Sequence, residues 1–89
     1  MRYLTSVPLE VAIPLSASDP DVRSVSRLPG FKALEPVAGY AGRYTLTFEV
    51  EAGSRRDAID ASDELMVEYE NALNAYHPRV LTAVATEAI

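Results

Sequence analysis

The stretch that decides the fold is Arg43–Tyr76, RYTLTFEVEAGSRRDAIDASDELMVEYENALNAY. From Arg43 to Glu51 the even positions are Tyr44, Leu46, Phe48 and Val50, and the odd ones are Arg43, Thr45, Thr47, Glu49 and Glu51. A period of two with one apolar and one polar side predicts an antiparallel strand with a solvated face. Gly53-Ser54 ends that strand. Ser54, with Asp57 three residues on, resembles a capping box that opens a helix. Ile59, Ser62, Met66, Tyr69, Leu73 and Tyr76, flanked by Ala58, Leu65 and Ala72, form the helix's apolar stripe. Pro78 stops it near Tyr76.

Outward from this core the chain adds four more elements. Tyr3–Leu15 places Tyr3, Val7, Leu9, Val11, Ile13 and Leu15 on one face and reads as a strand. Pro8 has no N–H to give to a ladder, so it points to an edge, a bulge or a bend. Asp19-Pro20-Asp21 is a helix start, and Val22, Val25 and Leu28 recur at spacing three before Pro29-Gly30 ends a short helix. Phe31–Val37 is a second strand, placed at a sheet edge by Pro36, and Gly39-Tyr40-Ala41-Gly42 turns into the third. Val80–Thr86 is the last strand, with Val80 and Val84 on one face and Leu81, Ala83 and Ala85 on the other.

The order β-α-β-β-α-β resembles the ferredoxin-like, split βαβ superfold. That α+β sandwich implies a sheet order of 4-1-3-2, with both helices on one face. Pro8 in a central strand runs against it. The alternative is a ββαβ sheet whose N-terminal strand bends away or pairs with a neighbouring copy. Residues 1–89 read as a single domain, without repeats, low-complexity tracts or linkers.

Composition narrows the function classes. The chain has 89 residues, thirteen acids against eight bases, a net charge of −5 and no cysteine. The acidic balance argues against nucleic-acid binding, which needs a basic surface to displace counterions. Without cysteine there are no disulfides or thiolate metal sites, and a reducing cytoplasm is the expected location. No apolar run is long enough to span a bilayer, and the N-terminus has no signal-peptide pattern, so no membrane association is expected. Seven of the eight bases are arginine, a codon bias that suits a GC-rich bacterium or its phage.

No catalytic, metal or cofactor motif emerges. His77, the only histidine, lies beside Asn74, Tyr76 and Arg79, and only His77 and Arg79 merit testing as enzymatic groups. Its ordinary role is to cap a helix C-terminus. Ser54, Arg55 and Arg56 open the long helix with free N–H groups and two guanidiniums, which suits an anion such as phosphate or carboxylate. Arg2, Arg27 and Lys32 are expected at the same end, together with Glu49, Glu51, Asp57 and Glu87, which would neutralise them. Asp57, Asp60, Glu64 and Glu68 recur at spacings of three and four, with Asp63 and Glu70 alongside. They form either the solvated side of the helix or an acidic ladder for a basic partner, as in an inhibitor that mimics nucleic acid. On the open sheet face Thr45, Thr47, Glu49 and Ser6 stand where RNA-binding sheets carry aromatics and bases. Leu4, Leu81, Ala83 and Ala85 offer a small contact near one edge. Tyr40, in a glycine turn, is the exposed tyrosine and a contact anchor.

The expectation is therefore a non-enzymatic interaction or assembly module whose partner is another protein or a copy of itself. The alternatives are an anion-binding module at Arg55 and Arg56, or an acidic inhibitor acting through Asp57–Glu70.

Overall fold

The computed structural model describes residues 1–81 and 84–89. Strand β1 (Arg2–Glu10) leads to helix α1 (Pro20–Val25), then to the hairpin β2 (Phe31–Pro36) and β3 (Arg43–Glu51). Helix α2 (Arg55–Ala72) and a 3-10 turn (Asn74–Tyr76) follow, then β4 (Arg79–Val80) and β5 (Ala85–Ala88). The result is a small α+β fold with an open, antiparallel five-stranded sheet and two helices. The strand order is β2-β3-β1-β4, and β5 also pairs with β1.

β1 is central. It runs antiparallel to β3 along its whole length, from Arg2 opposite Glu51 to Glu10 opposite Arg43. The N-terminal strand thus pairs within its own chain, and the alternative of an outlying or exchanged strand is corrected. The strand is shorter than the apolar alternation suggested. It ends at Glu10, and Ile13 is 58% exposed. Beyond Glu10, Val11 still donates to the Gly42 carbonyl, but Ala12 turns away to the Tyr76 carbonyl.

The last strand is not the continuous Val80–Thr86 expected. It is split into β4 and β5; of that stretch, Thr82 and Ala83 lie outside the described residues. Val80 stands opposite Leu9 and Ala85 opposite Ser6. The two pieces therefore pair with β1 in registers that differ by two residues. The Pro8 carbonyl accepts from Leu81 N–H at 2.8 Å, so the proline nitrogen also faces the last strand. Because it has no hydrogen to donate, the ladder loses a bond at that point and the register slips. The signal at Pro8 was real, but its consequence falls on the neighbouring strand.

One face of the sheet is covered by both helices. Val7, Leu9, Leu46 and Phe48 from the sheet meet Val25, Met66, Tyr69 and Leu73 from the helical side in one buried cluster. Phe48 and Tyr69 stack with ring centres 5.1 Å apart. The buried stripe of α2 is Ala58, Ser62, Met66 and Tyr69. Ile59, expected in that stripe, is 42% exposed, whereas Ala58 is fully buried. The small residue sits where the helix approaches the sheet, and the branched one is rotated to the flank. The other sheet face carries Leu4, Ser6, Thr45, Thr47 and Glu49, all half-buried.

Candidate functional site

The long helix begins as its sequence requires. Ser54 is in an extended conformation and its hydroxyl accepts from Asp57 N–H at 3.2 Å, so that oxygen is committed to the cap. Arg55 and Arg56 follow on the exposed first turn. Among the described residues neither has a carboxylate within ion-pair distance. Two of the three bases expected beside them are engaged by one carboxylate: Lys32 Nζ lies 3.2 Å and Arg2 3.9 Å from Glu49, while Arg27 makes no ion pair among the described residues. The ion pairs thus set apart Arg2 and Lys32, which share the one Glu49 carboxylate on the sheet, from the two exposed guanidiniums on the helix.

Asp57, Asp60, Glu64 and Glu68 are all exposed, and none is in an ion pair among the described residues. Tyr40 is 56% exposed, and the Arg43 guanidinium lies over its ring at 4.7 Å, a cation–π contact that holds the ring at the turn. His77 takes a left-handed backbone (φ 51°), and its N–H donates to the Asn74 carbonyl, which closes the 3-10 turn. The neighbouring Arg79 donates to Glu10 at 2.7 Å, and Glu10 also pairs with Arg43 at 3.4 Å. The His77 contact is thus made by its backbone, whereas the Arg79 guanidinium itself is engaged by Glu10. Among the described residues no three acidic or histidine side chains converge as metal ligands.

Sequence reasoning missed two polar groupings. Thr5, Ser62 and Thr86 are buried and joined by hydroxyl hydrogen bonds of 2.8 and 3.1 Å, with Ser62 also donating to the Ala58 carbonyl. Tyr76 donates to Asp19 at 2.5 Å. That bond holds the Asp19 carboxyl below the usual aspartate range, helped by Asp21 N–H, and pushes the Tyr76 phenol up. Each grouping joins residues more than fifty positions apart, so no local pattern announces it.

Among the described residues the surface carries shallow grooves. A largely apolar one is lined by Leu15, Ala17, Val22, Leu34, Pro36 and Tyr44, and the Tyr44 hydroxyl there accepts from Leu15 N–H at 2.9 Å. Among the described residues the exposed large apolar side chains are Met1, Ile13, Tyr40, Ile59, Val67, Val84 and Ile89. Neither protein-family models nor curated proteins give a match to this chain.

Proposed function

We propose that the protein is a non-enzymatic interaction or assembly module whose partner is a protein surface. One observation carries this reading: among the described residues, exposed large apolar side chains flank the edge strand β5 and lie on the helix packed against it. Val84 and Ile89 flank β5, and Met1 precedes the strand paired with it. Ile59 and Val67 belong to α2, which packs against β5. Scattered exposed apolar residues are ordinary, but a border of them beside an open strand is the composition of a contact surface.

We also read the sheet as ferredoxin-like, taking β4 and β5 as one last strand interrupted opposite Pro8. The support is the central position of β1, the antiparallel pairing throughout and the edge position of β2.

The test is affinity capture on the intact protein at low and high salt, with the mass of the native complex measured alongside. A complex of defined stoichiometry is expected, with this chain or another protein. A monomer that retains no partner would end the proposal.

A second reading rests on the acidic outer face of α2, where Asp57, Asp60, Glu64 and Glu68 stand exposed. It requires a basic partner whose binding weakens steeply with salt. The anion reading at Arg55 and Arg56 has less support, because the Ser54 hydroxyl and the Asp57 N–H already satisfy each other.

A further inference from the structure

We infer that the β5 edge and the adjoining flank of α2 form a two-fold interface with a second copy of this chain. The inference rests on the module reading above and names its partner.

The two edges of the sheet are unlike. At the β2 edge, Val37 N–H bonds to the Arg43 carbonyl, so by alternation Pro36 points outward, where its missing N–H removes a donor. Proline and charge (here Lys32 and Glu35) are devices that protect an edge from pairing. At the other edge, Ile89 N–H bonds to the Arg2 carbonyl. Ala85 and Glu87 therefore also point inward to β1, and Thr86 and Ala88 present their N–H and C=O groups outward. No proline or lysine stands in β5.

The flank of α2 above this edge can be assigned. Leu65 and Ala72 are partly buried against the core, whereas Ile59 and Val67 are exposed. Because α2 contacts both α1 and β5, and the Tyr69 hydroxyl reaches Pro29 beyond α1, we place the Leu65–Ala72 side towards α1. α1 connects β1 to β2 and so covers the far half of the sheet. The opposite flank of α2, which borders β5, carries Arg56, Ile59, Asp63, Val67 and Glu70. These residues are spaced three, four, four and three, so the row is symmetric about Asp63.

A two-fold axis makes that symmetry useful. If Thr86 exchanges both backbone bonds with Thr86 of the second copy, Glu87 falls opposite Ala85 and Ala88 opposite Val84. A register centred on Glu87 would instead oppose two glutamates, which is unfavourable. Ser62 bonds to Thr5, which in turn bonds to Thr86, so an axis through Thr86 passes α2 near Ser62 and Asp63. Each Ile59 then faces Val67 of the other copy, and each Arg56 faces Glu70 of the other copy. With strands ~4.8 Å apart, the two α2 axes run on the order of 10–14 Å apart, a gap bridged by side chains from both sides. Within the α2 row only Asp63 meets its own copy, as a like-charge pair that limits affinity.

The test is the mass and dissociation constant of the intact protein by sedimentation, with circular dichroism to check the fold. A dimer is expected. Arg56→Glu and Glu70→Arg should each weaken it by about tenfold, and the double variant should recover it. Within one chain these residues are about 21 Å apart along the helix, so recovery reports contact between copies. Ala88→Pro, which removes an outward N–H and no bond to β1, should abolish the dimer, and Asp63→Asn should tighten it. A monomer, or a dimer that the double variant does not restore, overturns the inference. A monomer that still captures one partner in fixed stoichiometry would overturn this inference alone, and a monomer with no partner would overturn the module reading as well.

Discussion

The Tyr76 hydroxyl donates to the Asp19 carboxylate at 2.5 Å, tying the N-cap of α1 to the 3-10 turn that follows α2. Both chain segments lie outside the sheet ladder, and this bond joins the Ala12 N–H to Tyr76 carbonyl bond in fixing that corner. It also makes stability depend on pH at both extremes. Asp19 is lowered in the fold by the bond to Tyr76, so its contribution is present above the ordinary aspartate range and is lost as pH falls through the lowered value. Tyr76 is raised by the same bond, so its contribution is full below the ordinary tyrosine pKa and is lost as pH climbs through the raised value. Asp19→Asn or Tyr76→Phe should flatten both limbs of a plot of Tm against pH. Unchanged limbs in both variants would show that the bond does not form in solution.

The buried hydroxyls of Thr5, Ser62 and Thr86 predict a non-additive series. Thr5 is the central member, bonded to the other two. Thr5→Val leaves the Thr86 hydroxyl buried without its partner, at a cost of about 1–3 kcal/mol. Ser62→Ala leaves Thr5 bonded to Thr86 and costs about 1 kcal/mol. Replacing all three with Val, Ala and Val removes every orphaned group, so the triple variant should lose less than the sum of the single losses. Denaturant unfolding of the series decides it, and simple additivity would refute the network.

Tyr69 predicts both a stability change and a titration. Its ring is fully buried against Phe48 and its hydroxyl donates to the Pro29 carbonyl at 3.0 Å. Burial, with a smaller contribution from Glu68, pushes its pKa up to about 12. Tyr69→Phe should cost about 0.5–1.5 kcal/mol through the lost bond, and Tyr69→Ala about 3–5 kcal/mol through the cavity. In ultraviolet titration the native protein should ionise one tyrosine near pH 12, and Tyr69→Phe should remove that step. Because the pKa is raised, the stability from Tyr69 is full below pH 10 and falls as pH rises towards 12.

Two glycines with similar backbones should differ in tolerance. Gly30 and Gly39 both have positive φ, 74° and 83°. A Cβ at Gly30 would collide with the Glu49 carbonyl, on a backbone that Glu49 N–H already grips through the Gly30 carbonyl, whereas Gly39 has open space around it. Gly39→Ala should cost about 1–2 kcal/mol, the left-handed penalty alone. Gly30→Ala should cost clearly more, because the β2–β3 ladder must shift. Equal losses in thermal unfolding would contradict the close approach.

What could be read from the sequence was whatever repeats locally. The alternation from Arg43 to Glu51, the Asp19-Pro20 start and the Ser54 cap are each contained within a few residues, and the structure has all three. The choice between Ala58 and Ile59 was not local. Apolar strength favours isoleucine, but the distance between helix and sheet favours alanine at the contact. The split of the last strand was written at Pro8, some seventy residues before its effect. Of the candidate site, the exposure of Tyr40 and of the acidic row was legible, since turns and outer helix faces follow from spacing. The symmetry of Arg56, Ile59, Asp63, Val67 and Glu70 was visible in principle. It gained meaning only once β5 was seen as the open edge beside it.

The acidic row on α2 sets stability against recognition. Asp60, Glu64 and Glu68 are four residues apart and exposed, so each neighbouring pair repels by a few tenths of a kcal/mol. Glu64→Lys turns both repulsions into attractions and should stabilise the protein by about 0.5–1.5 kcal/mol. If the row is only a solvated face, this variant gains stability and loses nothing. If it is the surface that a basic partner reads, the same variant should weaken capture of that partner and reduce the salt dependence of what remains. Measuring Tm and salt-dependent capture on this one variant therefore separates the two roles. A gain in stability with unchanged binding would confine Glu64 to the solvated face.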